Sequence, residues 1–134
     1  MSQFITVRSP LKLLSFTGKW RSAAFADAYG ATQHRLVFEF VQQDDRLLGT
    51  VTDSRFDAYV SNHSSTAAIA DGRVVDKVIS FYTTGQVSAA RGEIQSYKES
   101  YFGTARADGS LEFRRFDDLP TGGSPEKFIA KRIP

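Results

Sequence analysis

The stretch HRLVFEFVQQDDRLLGTVTD, residues 34–53, carries the clearest secondary-structure signal in the chain. Side chains of a β-strand point alternately to its two faces. The first half of the stretch therefore places Leu36, Phe38 and Phe40 on one face, with Val37 and Glu39 on the other. This alternation predicts a strand with one buried, aromatic face.

The two aspartates that follow, Asp44 and Asp45, predict a hairpin turn and fix how its strands pair. The expected pairs are Phe40 with Gly49, Phe38 with Val51, and Leu36 with Asp53. Apolar positions then share one side of both strands, whereas a slip by one residue would invert one of them. Gly49 fits this register, because a glycine within a strand leaves room for an aromatic ring or allows a sharp bend.

A second hairpin is predicted in YFGTARADGSLEFRRF, residues 101–116. A three-residue loop over 108–110, with Gly109 in the left-handed region, is a common hairpin connection. This loop pairs Ala105 with Phe113 and Ala107 with Leu111, and it places Tyr101 and Gly103 on the same face. A two-residue loop would instead set the charged Glu112 and Arg114 opposite that face, so the first register is preferred.

Short apolar runs separated by turn signals continue along the rest of the chain, with a third Asp-Gly reversal predicted at residues 71–72. Strands are predicted over 19–25, 34–43, 46–53, 66–75, 77–84, 87–97, 99–107, 111–117 and 126–133, and some neighbours are expected to merge. Consecutive hairpins form a meander, which loses its open edges by closing into a barrel. The predicted fold class is all-β: a single closed up-and-down antiparallel β-barrel of about eight strands. Residues 1–15 are predicted to form an arm with a short helical turn at 11–16, and residues 16–134 to form the barrel.

The only tryptophan, Trp20, follows Gly18 and Lys19 at the start of the first predicted strand. This Gly-x-Trp start resembles that of the calycin barrels: lipocalins, fatty-acid-binding proteins and avidins. The resemblance covers residues 16–133 in the order of elements and implies that Trp20 plugs the closed end of the barrel. It also implies that a basic residue of the last strand, Arg132 or alternatively Lys131, packs across the indole. The biotin contacts of avidins are not reproduced, so biotin binding is not implied. The pattern is also similar to small bacterial proteins with a lipocalin-like domain.

Composition narrows the functional classes. The chain has 134 residues, no cysteine and a net charge of +2, which favours one domain without disulfides or thiolate metal sites. Basic and acidic residues are interspersed, so no nucleic-acid-binding face is predicted. The N-terminal sequence has no unbroken apolar run, so neither a signal peptide nor a membrane span is predicted, and a cytoplasmic location is expected. No motif predicts a metal or a cofactor.

The predicted inner faces of the strands carry the candidate site. The candidate ligand-binding residues are Phe38, Phe40, Val51, Phe81, Tyr97, Glu99, Tyr101, Phe113 and Arg115. Glu99, Asp53 and Tyr101 are the candidates for a catalytic role. An apolar floor below a polar mouth predicts that the barrel binds a small, largely apolar molecule. The alternative is that the charged residues simply lie at strand ends, in contact with water. His34 is predicted to be a surface or strand-end residue.

Two other functions stay open, and whether the protein is an enzyme is left undecided. One is a cofactor-free isomerase or cyclase that folds a flexible apolar substrate while Asp53 or Glu99 exchanges a proton. The other is a protein-interaction module with a filled barrel, which the eleven phenylalanines favour. Phe102 and Phe116 are predicted to point outward on neighbouring strands. Such a patch predicts a homodimer, unless residues 1–10 cover it with Phe4 and Ile5.

Overall fold

The computed structural model describes residues 15–26, 32–57, 63–88, 92–118 and 125–134, and their regular structure is β-strand. The ten strand segments are β1 (Gly18–Ser22), β2 (Phe25–Ala26), β3 (Thr32–Gln43), β4 (Arg46–Asp57), β5 (His63–Ala68), β6 (Ala70–Val75), β7 (Val78–Ser88), β8 (Ile94–Ala105), β9 (Leu111–Asp117) and β10 (Glu126–Ile133). The helical turn predicted at 11–16 falls mostly outside the described residues, and residues 15–17 have no regular structure.

These segments close into an antiparallel barrel. β1 and β2 both pair with β3, and β5 and β6 both pair with β4, so each couple acts as one bent strand. With each couple counted as one bent strand, the ten segments form eight strands around the barrel. Ring neighbours are consecutive in sequence, and β10 returns to pair with β1. The predicted closed up-and-down barrel is therefore confirmed.

The first hairpin has the register predicted from its alternation. Phe40 pairs with Gly49, Phe38 with Val51, and Leu36 with Asp53. Asp44, in the turn, has a φ of +56°. Gly49 has a φ of +146°, and a Cβ there would lie 1.8 Å from the carbonyl oxygen of Glu39. Gly49 is thus needed for a close approach of backbones at a bend, and not to accommodate a ring.

The second hairpin differs from its predicted register by two residues. Gly103 pairs with Phe113 and Ala105 with Leu111, so the loop spans five residues, 106–110, and not three. The carboxylate of Asp108 explains the longer loop, since it accepts hydrogen bonds from the backbone N–H (2.9 Å) and the hydroxyl (2.6 Å) of Ser110. Gly109 does have the expected positive φ, +89°.

The reversal predicted at residues 71–72 is wrong, and two of the predicted breaks between strands are absent. The Asp-Gly pair at 71–72 lies within β6, at an irregularity of its pairing with β7, and Asp71 has a φ of +52°. A Cβ on Gly72 would lie 2.0 Å from the carbonyl oxygen of Leu47, so this glycine permits a close strand crossing. The chain reverses instead between β6 and β7, after Val75. Likewise, residues 85–86 continue β7, and residue 98 lies inside β8.

Trp20 lies at the end of the barrel where β1 begins, which we call the closed end. Its indole is 2% exposed, and its Nε1–H donates a hydrogen bond to the Phe16 carbonyl at 3.0 Å. The guanidinium carbon of Arg132 lies 4.3 Å from the centre of the indole ring. Of the two basic residues proposed for this contact, Arg132 is therefore the one that makes it. Arg132 also donates to the carbonyls of Thr17 and Ser15, at 2.6 Å and 2.9 Å.

Two seams interrupt the wall at the opposite end, which we call the far end. β5 pairs only with β4, and residues 83–88 of β7 pair only with β8 within the described chain. On the other side of the ring, among the residues that the structure describes, β2 pairs only with β3, and residues 126–129 of β10 pair only with β9. The far half therefore consists of two facing sheets, β2–β3–β4–β5 and β7–β8–β9–β10. We call the first gap the β5–β7 cleft and the second the β2–β10 seam.

Candidate functional site

The interior contains the candidate ligand-binding and catalytic residues that the sequence placed there, whereas Ala107, expected opposite Leu111, is exposed in the 106–110 loop. Seven of the nine candidate ligand-binding residues are buried: Phe38, Phe40, Val51, Phe81, Tyr101, Phe113 and Arg115. Tyr97 and Glu99 are half-buried, and Asp53 is buried as well. Whether any of them binds a ligand stays a prediction. They form two layers, an apolar one toward the closed end and a polar one toward the far end.

The apolar layer is filled by aromatic rings. Phe38 stacks on Phe113 with ring centroids 4.7 Å apart, and Phe81 stacks on Tyr101 at 4.8 Å. Phe128 stacks on Phe113 at 5.3 Å. Gly103 makes this packing possible, because a Cβ there would lie 2.7 Å from the Phe113 ring. Phe38 and Phe113 therefore contact each other directly at the position where the sequence predicts a cavity shared with Val51.

The polar layer is built around Arg115, whose side chain is 2% exposed. Its Nε donates to Glu126 at 2.6 Å and lies 3.4 Å from a Glu99 oxygen. Its Nη1 donates to Asp53 at 3.2 Å and to the Tyr101 hydroxyl at 3.4 Å. Three carboxylates from three strands thus converge on one guanidinium. Buried charges are tolerated only in this paired and hydrogen-bonded form.

Sequence reasoning missed two members of this layer, His34 and Glu126. His34 is predicted to be a surface or strand-end residue. It does lie near the start of β3, but it is 6% exposed and its Nδ1 lies 2.9 Å from the Asp53 carboxylate, so a surface position is wrong. Its position could have been predicted, because residue 34 has the same strand parity as Phe38. Glu126 has the same parity as Phe128 on β10. In both cases the alternation of the strand indicates the inner face.

An aromatic ring closes the β2–β10 seam beside this layer. Phe25 of β2 stacks on Phe128 of β10 with centroids 4.4 Å apart, and it also stacks on His34 at 5.6 Å. The Arg115 guanidinium lies 5.4 Å from the Phe25 ring. A cation over an aromatic face is favourable, by about 0.5–2 kcal/mol. The seam is therefore sealed by ring stacking in place of a backbone ladder.

The carboxylates of the polar layer differ in their acidity. Burial would raise the pKa of Asp53, but the hydrogen bond with His34 and the charge of Arg115 outweigh it, so this pKa is lowered. Burial raises the pKa of Glu99, and the nearby charges of Asp53 and Glu126 add to the rise despite Arg115. Burial also raises the pKa of Tyr101, to about 12. Glu99 is thus the carboxyl best suited to hold or exchange a proton, whereas Asp53 stays ionised.

The β5–β7 cleft connects the polar layer with the surface. A wide cavity of about 560 Å³ follows both edges of the cleft, and a narrower one of about 70 Å³ lies deeper. The deeper cavity is lined by Val51, Asp53, Arg55, Ser65, Ala67, Thr83, Thr84, Gly85, Tyr97, Glu99 and Tyr101. The Tyr97 ring forms one wall by lying across Gly85, where a Cβ would come within 2.6 Å of the ring. The cleft therefore leads to Glu99, Tyr97 and Val51.

Among the described residues, no group of His, Cys, Asp and Glu side chains is arranged to hold a metal ion. In the same part of the chain, no helix is long and apolar enough to cross a membrane. The chain matches no protein-family profile, no curated protein and no solved structure.

Proposed function

We propose that this protein binds a small molecule in the polar layer of its barrel, and that the molecule enters through the β5–β7 cleft. The observation that carries this proposal is the deeper cavity, which has Val51 and Ala67 on one side and Tyr97 and Glu99 on the other. An apolar wall with a few convergent polar groups is the usual form of a small-molecule site.

The same geometry favours a particular kind of ligand. The sequence predicts a largely apolar molecule, but the stacked rings of the apolar layer already occupy that part of the barrel. This supports a small ligand that has an apolar part against Val51 and Ala67 and a hydrogen-bonding group near Tyr97 or Glu99. A phenol and a carboxyl can each orient such a group by hydrogen bonds.

Mass spectrometry of the purified protein under native and denaturing conditions tests the proposal. We expect a small molecule to accompany the native protein, and to be lost from Val51→Trp, in which the new ring fills the deeper cavity. Val41→Trp is the matched control, because Val41 is 49% exposed on the outer face. A parent protein that carries no molecule and takes up no environment-sensitive dye would contradict the proposal. So would a Val51→Trp variant destabilised by about 1–3 kcal/mol, the cost of overpacking a filled core.

A second candidate function, a cofactor-free isomerase or cyclase, is favoured by one specific feature. The Glu99 carboxyl borders the deeper cavity and has a raised pKa, as a proton-exchanging group requires. Glu99→Gln should then abolish turnover of the bound molecule while its binding is retained. Unchanged chemistry of the bound molecule in that variant would leave a carrier.

We also propose that the chain is related to the calycin barrels. The support is the arrangement at the closed end, where Gly18 precedes a buried Trp20 and Arg132 packs across the indole. Homologues that keep these three residues while the rest of the barrel diverges would support the relationship. Homologues that lose them would contradict it.

A further inference from the structure

The two edges of the β5–β7 cleft have backbone groups that face each other without pairing. Successive peptide groups along a strand point to opposite sides. The N–H of Ile69 donates to Gly49 on β4, so the N–H groups of residues 67, 65 and 63 also point toward β4. The N–H and C=O groups of Ser64, Thr66 and Ala68 consequently point into the cleft.

The N–H and C=O groups of β7 alternate in the same way. The N–H of Ala105 donates to the carbonyl of Lys77, so residues 79–87 of odd number direct their peptide groups to β8. Thr84, Gln86 and Ser88 therefore direct theirs into the cleft, above the Ala70–Tyr82 pair where the β6–β7 ladder ends. Among the described residues, no strand pairing joins these two edges.

We propose that the β5–β7 cleft binds an extended peptide segment of another protein, which adds to the barrel as a strand hydrogen-bonded to both edges. Strand addition to exposed edges is a general mode of peptide recognition, in which main-chain hydrogen bonds supply the affinity. A strand bonded to both edges needs them about 9.6 Å apart, twice the spacing of neighbouring strands, so it enters from the open end of the cleft and stops short of the Ala70–Tyr82 pair. The edge from Ser64 to Ala68 is about 13 Å long at about 3.3 Å per residue, and its wider part suits three or four peptide residues.

The shape of the cleft favours a single extended chain as the occupant. A strand between two edges must have both of its own sides free, and a strand at the edge of a folded sheet has only one. A second folded copy of this protein is therefore a poor occupant. Most side chains on the two edges are short: Ser64, Ser65, Thr66, Ala67, Thr84 and Gly85. Longer side chains line the cavity at its outer end, from His63 and Gln86, and from the neighbouring strands, from Asp53, Arg55 and Tyr97.

The charge of the polar layer favours a peptide with one basic side chain pointing inward. Asp53, Glu99 and Glu126 converge on Arg115, and Arg55 lies 3.8 Å from Asp53. Arg115 approaches Glu126 and Asp53 more closely than Glu99, which borders the deeper cavity. A lysine or arginine at an inward position of the peptide can complete the pairing of Glu99.

The experiment uses the full chain labelled with ¹⁵N. The probes are capped heptapeptides with a central lysine and with serine, threonine, alanine or valine at the other positions. We expect saturable shifts of residues 63–68 and 83–88, and of residues next to Glu99 when the central residue is lysine. The Thr66 and Thr84 amides should exchange rapidly in the free protein and about tenfold or more slowly with peptide bound. The same peptides with alternate N-methyl groups should not bind, since they lack donors on one side.

Variants then separate backbone recognition from charge recognition. Thr84→Pro removes the backbone N–H that faces the cleft and leaves the hydrogen bonds between β7 and β8 in place. An edge strand tolerates proline at a position whose N–H faces away from its neighbour. It should weaken binding about tenfold or more, whereas Thr84→Ala should not. Glu99→Gln should reduce the preference for a central lysine over a central serine.

Several results would overturn the proposal: no member of the peptide set binds, shifts lie elsewhere, or N-methylated peptides bind equally well. Protection of the Thr66 and Thr84 amides in the free protein would also overturn it, because the cleft would then be occupied by this chain itself. The peptide and the proposed small molecule would both reach Glu99 through the β5–β7 cleft. Their tests differ, because native mass spectrometry detects a co-purifying small molecule, whereas amide shifts and N-methylated peptides detect backbone recognition.

Discussion

Replacing Arg115 with methionine should strongly destabilise the barrel. The Arg115 side chain is 2% exposed and is the shared partner of Asp53, Glu99 and Glu126. Removing one member of a buried ion pair costs about 3–5 kcal/mol, because its partner is left buried and unpaired. At about 4 °C per kcal/mol for a domain of this size, the melting temperature should fall by about 12–20 °C.

This loss should depend on pH. In the parent protein the pKa of Asp53 is lowered from 3.8, so its contribution to stability is complete above that value and is lost only as the pH falls through the lower folded value. Without Arg115, burial acts on Asp53 and Glu99 with less compensation, and both carboxyls take up protons at higher pH. The deficit relative to the parent should be largest near neutral pH and should shrink below about pH 5.

Urea unfolding from about pH 4 to 8, followed by Trp20 fluorescence, measures both effects. Trp20 is 2% exposed when folded, so its emission reports unfolding. The matched control is Arg114→Met, because Arg114 is the preceding residue on β9 and is exposed. That change should stay within about 0.5 kcal/mol of the parent. An Arg115→Met variant as stable as Arg114→Met, or a deficit that is constant with pH, would refute the role of Arg115 as the shared counter-charge.

Three further outcomes are expected. Trp20→Ala should lower the free energy of unfolding by about 3–5 kcal/mol, and a loss below about 1 kcal/mol in urea titrations would contradict its packing role. Glu99→Gln should be more stable than the parent near pH 7 and equal to it below about pH 4.5. The reason is that the pKa of Glu99 is raised in the folded protein, which costs stability as the pH rises above the unfolded value of 4.5. Equal stability of the two proteins at all pH would contradict this. The parent should sediment as a dimer at micromolar concentration, through Phe102 stacked on Phe116. Phe102→Ser should be monomeric and Val75→Ser unchanged, and a monomeric parent would rule out the dimer.

Alternation predicted the interior correctly because only strand parity decides which way a side chain points. The second hairpin shows this clearly. Its predicted register was wrong by two residues, yet Tyr101, Gly103 and Phe113 still lie on the inner face. A shift of two preserves every side chain's face, whereas a shift of one would have inverted the strand. The outward position of Phe102 and Phe116, 43% and 41% exposed, is confirmed for the same reason.

Glycines and polar residues within a strand resemble those of a turn, so the strand bounds around them were predicted less well. Thr84-Gly85-Gln86 has the composition of a turn, and the predicted strands 77–84 and 87–97 are separated there, but it lies within β7. Gly85 is present because the Tyr97 ring of the neighbouring strand lies across it. Such a requirement depends on a residue on another strand, so a local pattern does not distinguish it from a turn glycine.

The polar layer depends on contacts between distant parts of the chain, which explains why its members could be predicted only in part. Arg115 and Asp53 are 62 residues apart and belong to different sheets of the far half. The apolar layer of stacked rings ends where the charged side chains of the polar layer begin. Here the wall separates into two sheets, and this ion pair, together with Phe25 stacked on Phe128, joins them within the described chain. On the side of the β5–β7 cleft, cavities between the two sheets reach Asp53, Tyr97 and Glu99, so the interior is accessible there.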